Sequence, residues 1–271
     1  MDRSGASCYI YSKASGMLAS SYTGERSLLL KAVKSLEELW SMLFKESVPS
    51  ASDTELAELI EKKSAEKLAK EYRTLLNTYS KPYEVCTELL NAFEQVTFKN
   101  NFESEPVKKI FKACDKLSGS DRENVKKILT ERYSIKNIIW VMRLKVYYKM
   151  SAEEIKDQIL YLDDAKSSND PFVKEALKIA DWKIDDYPRW SKWKYSYLVN
   201  KHDSKIFRLD PKFAEEKASE EFYKSVKRAF HREPFTPLVL VSWFFIKQNE
   251  LDLIRSVTEA LRLNVQLDQV V

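Results

Sequence analysis

Apolar residues recur along this chain at three- and four-residue spacing, and a sustained two-residue alternation rich in Val, Ile and Thr is missing. The periodic runs open at legible helix starts. Ser35 with Glu38, Ser52 with Glu55, Ser120 with Glu123 and Ser151 with Glu154 each fit the S-x-x-E capping box. In that box the serine oxygen takes the third helical amide and the glutamate reaches back to the cap amide. Asp210-Pro211 and Asn169-Asp170-Pro171 add two more starts, with proline near the first helical position. The pattern predicts an all-α chain of about ten helices.

Three breaks interrupt the pattern: a polar connector over 99–106, the loop-like stretch 163–171, and a hinge-like turn from Glu233 to Pro237. The first two bound the expected modules 1–100, 101–165 and 166–271, and the third precedes the long closing helix of the last module. Ile135, Ile138 and Val141 align with Leu251, Ile254 and Val257, a faint repeat. The last helix is the most informative. Leu238 to Ile246 is apolar apart from Ser242. This run is too short to cross a bilayer, which takes roughly twenty residues, so protein must enclose it. Charges then return at Lys247, Glu250, Asp252, Arg255, Glu259 and Arg262, while Leu251, Ile254, Val257 and Leu261 keep one apolar line. Arg255–Glu259 and Glu259–Arg262 are spaced to pair on an outer strip. The central helix, Ile138 to Tyr148, reads as core, in which a buried Arg143 needs a carboxylate or carbonyl partner; the second reading has Arg143 and Lys145 reach a rim where another subunit docks. The run Glu61 to Tyr72 reads as a solvated face.

Composition narrows the chemistry. The 271 residues carry 45 basic and 41 acidic side chains, a net charge of +4. Such near balance is unlike a tail-driven nucleic-acid binder. Only four glycines occur, and neither phosphate-loop pattern is present. Cys8, Cys86 and Cys114 are scattered, which points away from a disulfide scaffold or zinc site and towards a reducing cytoplasm. The amino terminus shows no secretory signal. His202 and His231 lack a second ligand at metal spacing, and His231 reads as a capping or packing residue. Asp163-Asp164 and Asp185-Asp186 lack the third aspartate of a D-D-x-x-D magnesium site and read as solvated loops. The expectation is no catalytic, cofactor or metal residue.

Trp190, Trp193 and Tyr197 fall at i, i+3 and i+7 among basic residues. Packing of one helical face is the first reading, a partner-protein anchor through Trp190 the second, and nucleic-acid stacking the third.

Asn249 to Arg255 followed by Ala260 to Asn264 resembles the closing helix of the C-subunit family of V-type ATPases, whose eukaryotic member is the d subunit. Tyr9 to Leu18 resembles that family's first helix. Ile135 to Lys145, continuing through Ser151 to Ile155, resembles its repeated helix–turn–helix signature. Two departures are visible: Ser134 stands where an acid usually opens the signature, and Lys149-Met150 where a glycine often closes the helix. The resemblance implies three helical modules in a pseudo-threefold socket or funnel. It implies a non-catalytic central-stalk subunit that joins the stalk to the membrane proteolipid ring and transmits torque for ion transport. It also implies a cytoplasmic protein, peripheral to the membrane through its complex, and we expect a monomer in isolation. Arg143, Lys145, Trp190, Arg255, Glu259 and Arg262 are the expected interface residues. An all-helical nucleic-acid-binding or interaction scaffold is the alternative, and an all-α enzyme with a site assembled from distant residues is a further rival.

Overall fold

The computed structural model describes residues 3–79, 81–99, 105–200 and 207–265. Those residues form α-helices joined by turns and two 3-10 turns, with no strand among them. The all-α expectation holds. The helices are α1 (Arg3–Ser20), α2 (Ser27–Lys31), α3 (Leu36–Leu43), α4 (Asp53–Leu76), α5 (Glu84–Lys99), α6 (Glu105–Asp115), α7 (Gly119–Val146), α8 (Ala152–Gln158), α9 (Lys174–Ala180), α10 (Tyr187–Trp190), α11 (Pro211–Arg232) and α12 (Pro237–Leu263). Two compact units result. One comprises the described residues of Met1–Phe102 and Val226–Val271, the other those of Glu103–Ser225. The three expected modules follow breaks in the sequence, and they are taken up below as a proposal.

The first unit is built around α12. Every residue from Leu238 to Ile246 is buried, Ser242 included, as an apolar helix half requires. Helices α1 to α5 all touch it. The broadest contact is with α4, whose inner face carries Ala57, Ser64, Ala65 and Ala69 between Leu56, Ile60, Leu68 and Tyr72. Small side chains there let the two backbones approach, and Tyr72 stacks on Trp243 at 5.8 Å and 7°. The Glu61-to-Tyr72 run is therefore only half a solvated face: Ser64, Ala65, Leu68, Ala69 and Tyr72 are all buried. Further along α12, Ile254 and Val257 join Leu30, Leu36, Leu39, Trp40 and Ile60 in one cluster.

In the second unit α7 packs on α6 and α9, and α8 on α9. Ile135, Ile138 and Val141 face this core as Leu251, Ile254 and Val257 face the other. Asn137 and Asp170 hold the loop after α8. The Asn137 amide donates to the carbonyls of Leu160 (2.7 Å) and Phe172 (3.0 Å) and accepts from the Leu160 amide (3.0 Å). Asp170 accepts from the amides of Leu162 (2.6 Å), Asp163 (3.1 Å) and Phe172 (2.8 Å).

The helix starts divide. Full capping boxes form at Ser52/Glu55 and Ser151/Glu154. Ser35 caps α3, but Glu38 reaches past it to the Lys34 amide at 2.9 Å. At Ser120 the expectation fails. Gly119 takes φ +51 and α7 starts there, which leaves Ser120 inside the first turn. Asp210-Pro211 opens α11. Asp170-Pro171 instead opens a turn, and α9 begins three residues later at Lys174.

Candidate functional site

On α12 the outer strip is not a free face. Arg262 clamps Glu259 through two bonds, Nε to Oε2 at 2.8 Å and Nη2 to Oε1 at 2.6 Å. These bonds hold the Glu259 carboxyl below its usual range. Arg255 pairs with Asp252 at 3.4 Å and not with Glu259, a correction to the expected ladder. All three expected residues are half-buried, and Glu61 of α4 feels the charge of each. Burial raises the Glu61 carboxyl, and the Arg255 and Arg262 guanidiniums oppose that rise. The strip is a mixed-charge seam along the α4–α12 contact.

At the other end of this seam is a feature that polarity alone assigns to the outside of the helix. Lys247 and Glu250, at 7% and 6% exposure, form an ion pair inside the first unit. Lys247 Nζ also lies 3.4 Å from Glu71 and donates to Ser21 Oγ at 2.9 Å. Glu250 Oε1 accepts from the Tyr22 amide at 2.5 Å. A small cavity of about 50 Å³ adjoins the cluster, lined by Ser21, Tyr22, Ser64, Glu71, Lys247 and Glu250 among others. Buried charges survive when paired and hydrogen-bonded, and both conditions are met here. The signal was available, since Lys247, Glu250, Leu251 and Ile254 fall at i, i+3, i+4 and i+7, one helical face.

The central pair on α7 is partnered within its own unit. Arg143 pairs with Glu215 of α11, the acidic partner that a half-buried arginine needs. Lys145 Nζ donates to the Ala180 carbonyl at the end of α9. Burial lowers the Lys145 pKa, partly offset by Asp181. Of the apolar run expected as core, Ile138, Ile139, Val141, Met142 and Leu144 are buried, but Trp140, Tyr147 and Tyr148 are exposed. Each of the three carries a polar atom that tolerates water, and Trp140 Nε1 donates to the Gln158 carbonyl at 3.0 Å.

The aromatic segment is no single helix. Helix α10 ends at Trp190, and turns lead to a 3-10 turn at Ser196–Leu198. Trp182, Trp190 and Trp193 instead meet edge-to-face at 5.1 to 6.0 Å. Trp190 is fully enclosed and donates to the Lys183 carbonyl at 2.8 Å, so it presents no docking surface. The packing reading accounts for it. His231 Nδ1 lies 3.1 Å from the Tyr11 hydroxyl, a packing contact. His202 and most of the 99–106 connector lie outside the described residues. Asp164 pairs with Lys108, and Asp186 caps α10. The three cysteines are free thiols. Among the described residues no group of His, Cys, Asp and Glu could hold a metal ion, and no helix is long and apolar enough to cross a membrane.

These features define a class: an all-helical protein in which several charged side chains, Arg143, Lys247 and Arg262 among them, pair with carboxylates of its own chain. The model of the ATP synthase (C/AC39) subunit family matches residues 18–270. The chain belongs to that family of V-type ATP synthase subunits. The expected central and closing signatures lie inside the matched span, whereas Tyr9 to Met17 precedes it. An uncharacterised protein of Treponema pallidum (strain Nichols) is 20% identical to it, across 92% of this chain and 91% of that one. No solved structure gives a significant match.

Proposed function

We propose that this protein is the non-catalytic coupler between the central stalk of a V-type ATP synthase and its membrane proteolipid ring. The family match over nearly the whole chain carries the reading. Three helical modules, 1–100, 101–165 and 166–271, arranged as a socket for the stalk tip, belong to the same proposal. Hydrolysis and ion passage fall to other subunits, and this one transmits torque from the cytoplasmic side. Two properties favour such a part. Its longest helices, α4, α7 and α12, run 24, 28 and 27 residues, and each is packed against neighbouring helices. Glycine, the most compliant residue, occurs only four times. The seam of Arg255, Glu259 and Arg262, and the rim of Arg143 and Lys145, are the surfaces we assign to partners.

The nucleic-acid scaffold is disfavoured by the net charge of +4, which leaves little counterion-release driving force. The test is direct: purified protein is offered its own organism's central-stalk subunits, the proteolipid ring in detergent, and single- and double-stranded nucleic acid. Capture of stalk and ring, with no ATP hydrolysis by the purified chain, is expected. Nucleic-acid binding with a steep salt dependence and no stalk capture would reverse the assignment.

A further inference from the structure

Helix α2 is five residues long and carries three consecutive leucines. Only one can face the core, and Leu30 takes that place, fully enclosed in the cluster with Leu36, Trp40 and Ile60. Leu28 and Leu29 are left 65% and 48% exposed. The segment bearing them is held in place. Tyr22 donates its amide to Glu250 and its hydroxyl to the Met42 carbonyl at 2.9 Å. Arg26 Nε donates to the Ser21 carbonyl at 3.2 Å, and its guanidinium lies over the Tyr22 ring. Val33 is buried beyond α2. The two leucines therefore cannot fold inward without dislodging Leu30.

Cations frame the pair. Between Gly24 and Lys34 the exposed charges are Arg26, Lys31 and Lys34 against Glu25 alone. Of the acids that follow, Glu37 is exposed at the start of α3 and Glu38 is turned back to the Lys34 amide. An apolar pair with an excess of positive charge beside it complements an apolar surface rimmed by negative charge. A protein groove would ask for anchors at i, i+3, i+4 and i+7. Here adjacent leucines diverge by about 100° around the helix, Lys31 and Ala32 stand at the i+3 positions, and Val33 is in the core. A fluid interface needs no such stripe: it accepts splayed apolar side chains beneath a level of basic ones. We propose that the 24–34 segment is a lipid-contact site, in which Leu28 and Leu29 enter the headgroup boundary of an anionic membrane and Arg26, Lys31 and Lys34 meet its phosphates. This contact is additional to anything made through protein partners and does not depend on the coupling role.

Sedimentation of the full chain with large vesicles tests it. Binding is expected to vesicles of equal phosphatidylcholine and phosphatidylglycerol, far less to phosphatidylcholine alone, and should fall as salt is added. The double variant Leu28→Ser/Leu29→Ser should partition at least about tenfold more weakly. Its helical circular dichroism and thermal midpoint should stay at the parent values. Lys31→Glu/Lys34→Glu should remove the preference for phosphatidylglycerol. Absence of parent binding to the anionic vesicles overturns the site, as does an unchanged partition of the leucine variant. Lipid-free capture of a protein partner that depends on Leu28 and Leu29, with vesicles not bound, assigns the face to that protein and overturns it equally.

Discussion

Lys247 has three polar neighbours, Glu250, Glu71 and Ser21, within a helix otherwise apolar for nine residues before it. Replacing it with Met leaves Glu250 enclosed without a counter-charge, and loss of one partner from a buried pair costs about 3–5 kcal/mol. The double change Lys247→Met/Glu250→Gln removes both charges and keeps an acceptor for the Tyr22 amide, so it should cost clearly less than the single one. Urea unfolding of parent, both singles and the double gives the coupling energy, and purely additive losses would contradict a shared buried pair. In the sequence, charges return at Lys247 and Glu250, and polarity alone assigns them to the outside. Their spacing with Leu251 and Ile254 already put them on the buried line. What residue spacing cannot supply is the distant partner, since Glu71 stands 176 residues from Lys247, and Tyr22 228 residues from Glu250, along the chain.

At the scale of elements, hydrophobic period and cap chemistry located the long helices, because both are local properties. The failures have local causes as well. Trp190, Trp193 and Tyr197 have helical spacing, yet Pro188 sits at the start of a helix that stops after four residues. Three tryptophan rings close on one another instead of lining a face. Asp170 spends its carboxylate on three loop amides and so delays α9. The end of α7 offers a measurable consequence. Lys149 takes φ +53, and the next amide, Met150, returns to the Leu144 carbonyl at 3.2 Å. This is the place where the family resemblance implies glycine. A non-glycine side chain in the left-handed region costs about 1 kcal/mol, part of which is offset by the lower entropy of its unfolded chain. Lys149→Gly should therefore raise stability by about 0.5–1 kcal/mol, read as a higher urea midpoint with an unchanged slope. A lower midpoint would mean that Lys149 makes a contact worth more than the backbone strain.

Across the whole molecule, the all-α class and the family were legible, whereas the two compact units were not. Their division falls inside α11, between Ser225 and Val226, where no change in hydrophobic period marks it. A helix can keep one period while its covering elements change. The α12 seam yields a prediction at this scale. Reversing Arg255 and Arg262 to Glu brings added negative charge beside Glu61, Asp252 and Glu259. Solvent screening keeps such interactions small, so the isolated protein should remain folded with a thermal midpoint close to the parent's. If the seam meets the stalk or ring, the assembled complex should keep hydrolysing ATP while ion pumping falls, measured as dye quenching in proteoliposomes. Normal pumping would confine the seam to joining α4 and α12. The molecule also carries its own optical reporter of docking. Of six tryptophans, Trp40, Trp182, Trp190, Trp193 and Trp243 are sealed from water, and Trp140 alone is exposed, at 38%. A collisional quencher such as iodide therefore reaches essentially one indole. Trp140 stands one turn from Arg143 on α7, so whatever covers that rim shields this indole, shifts its emission to the blue and can be titrated without a label.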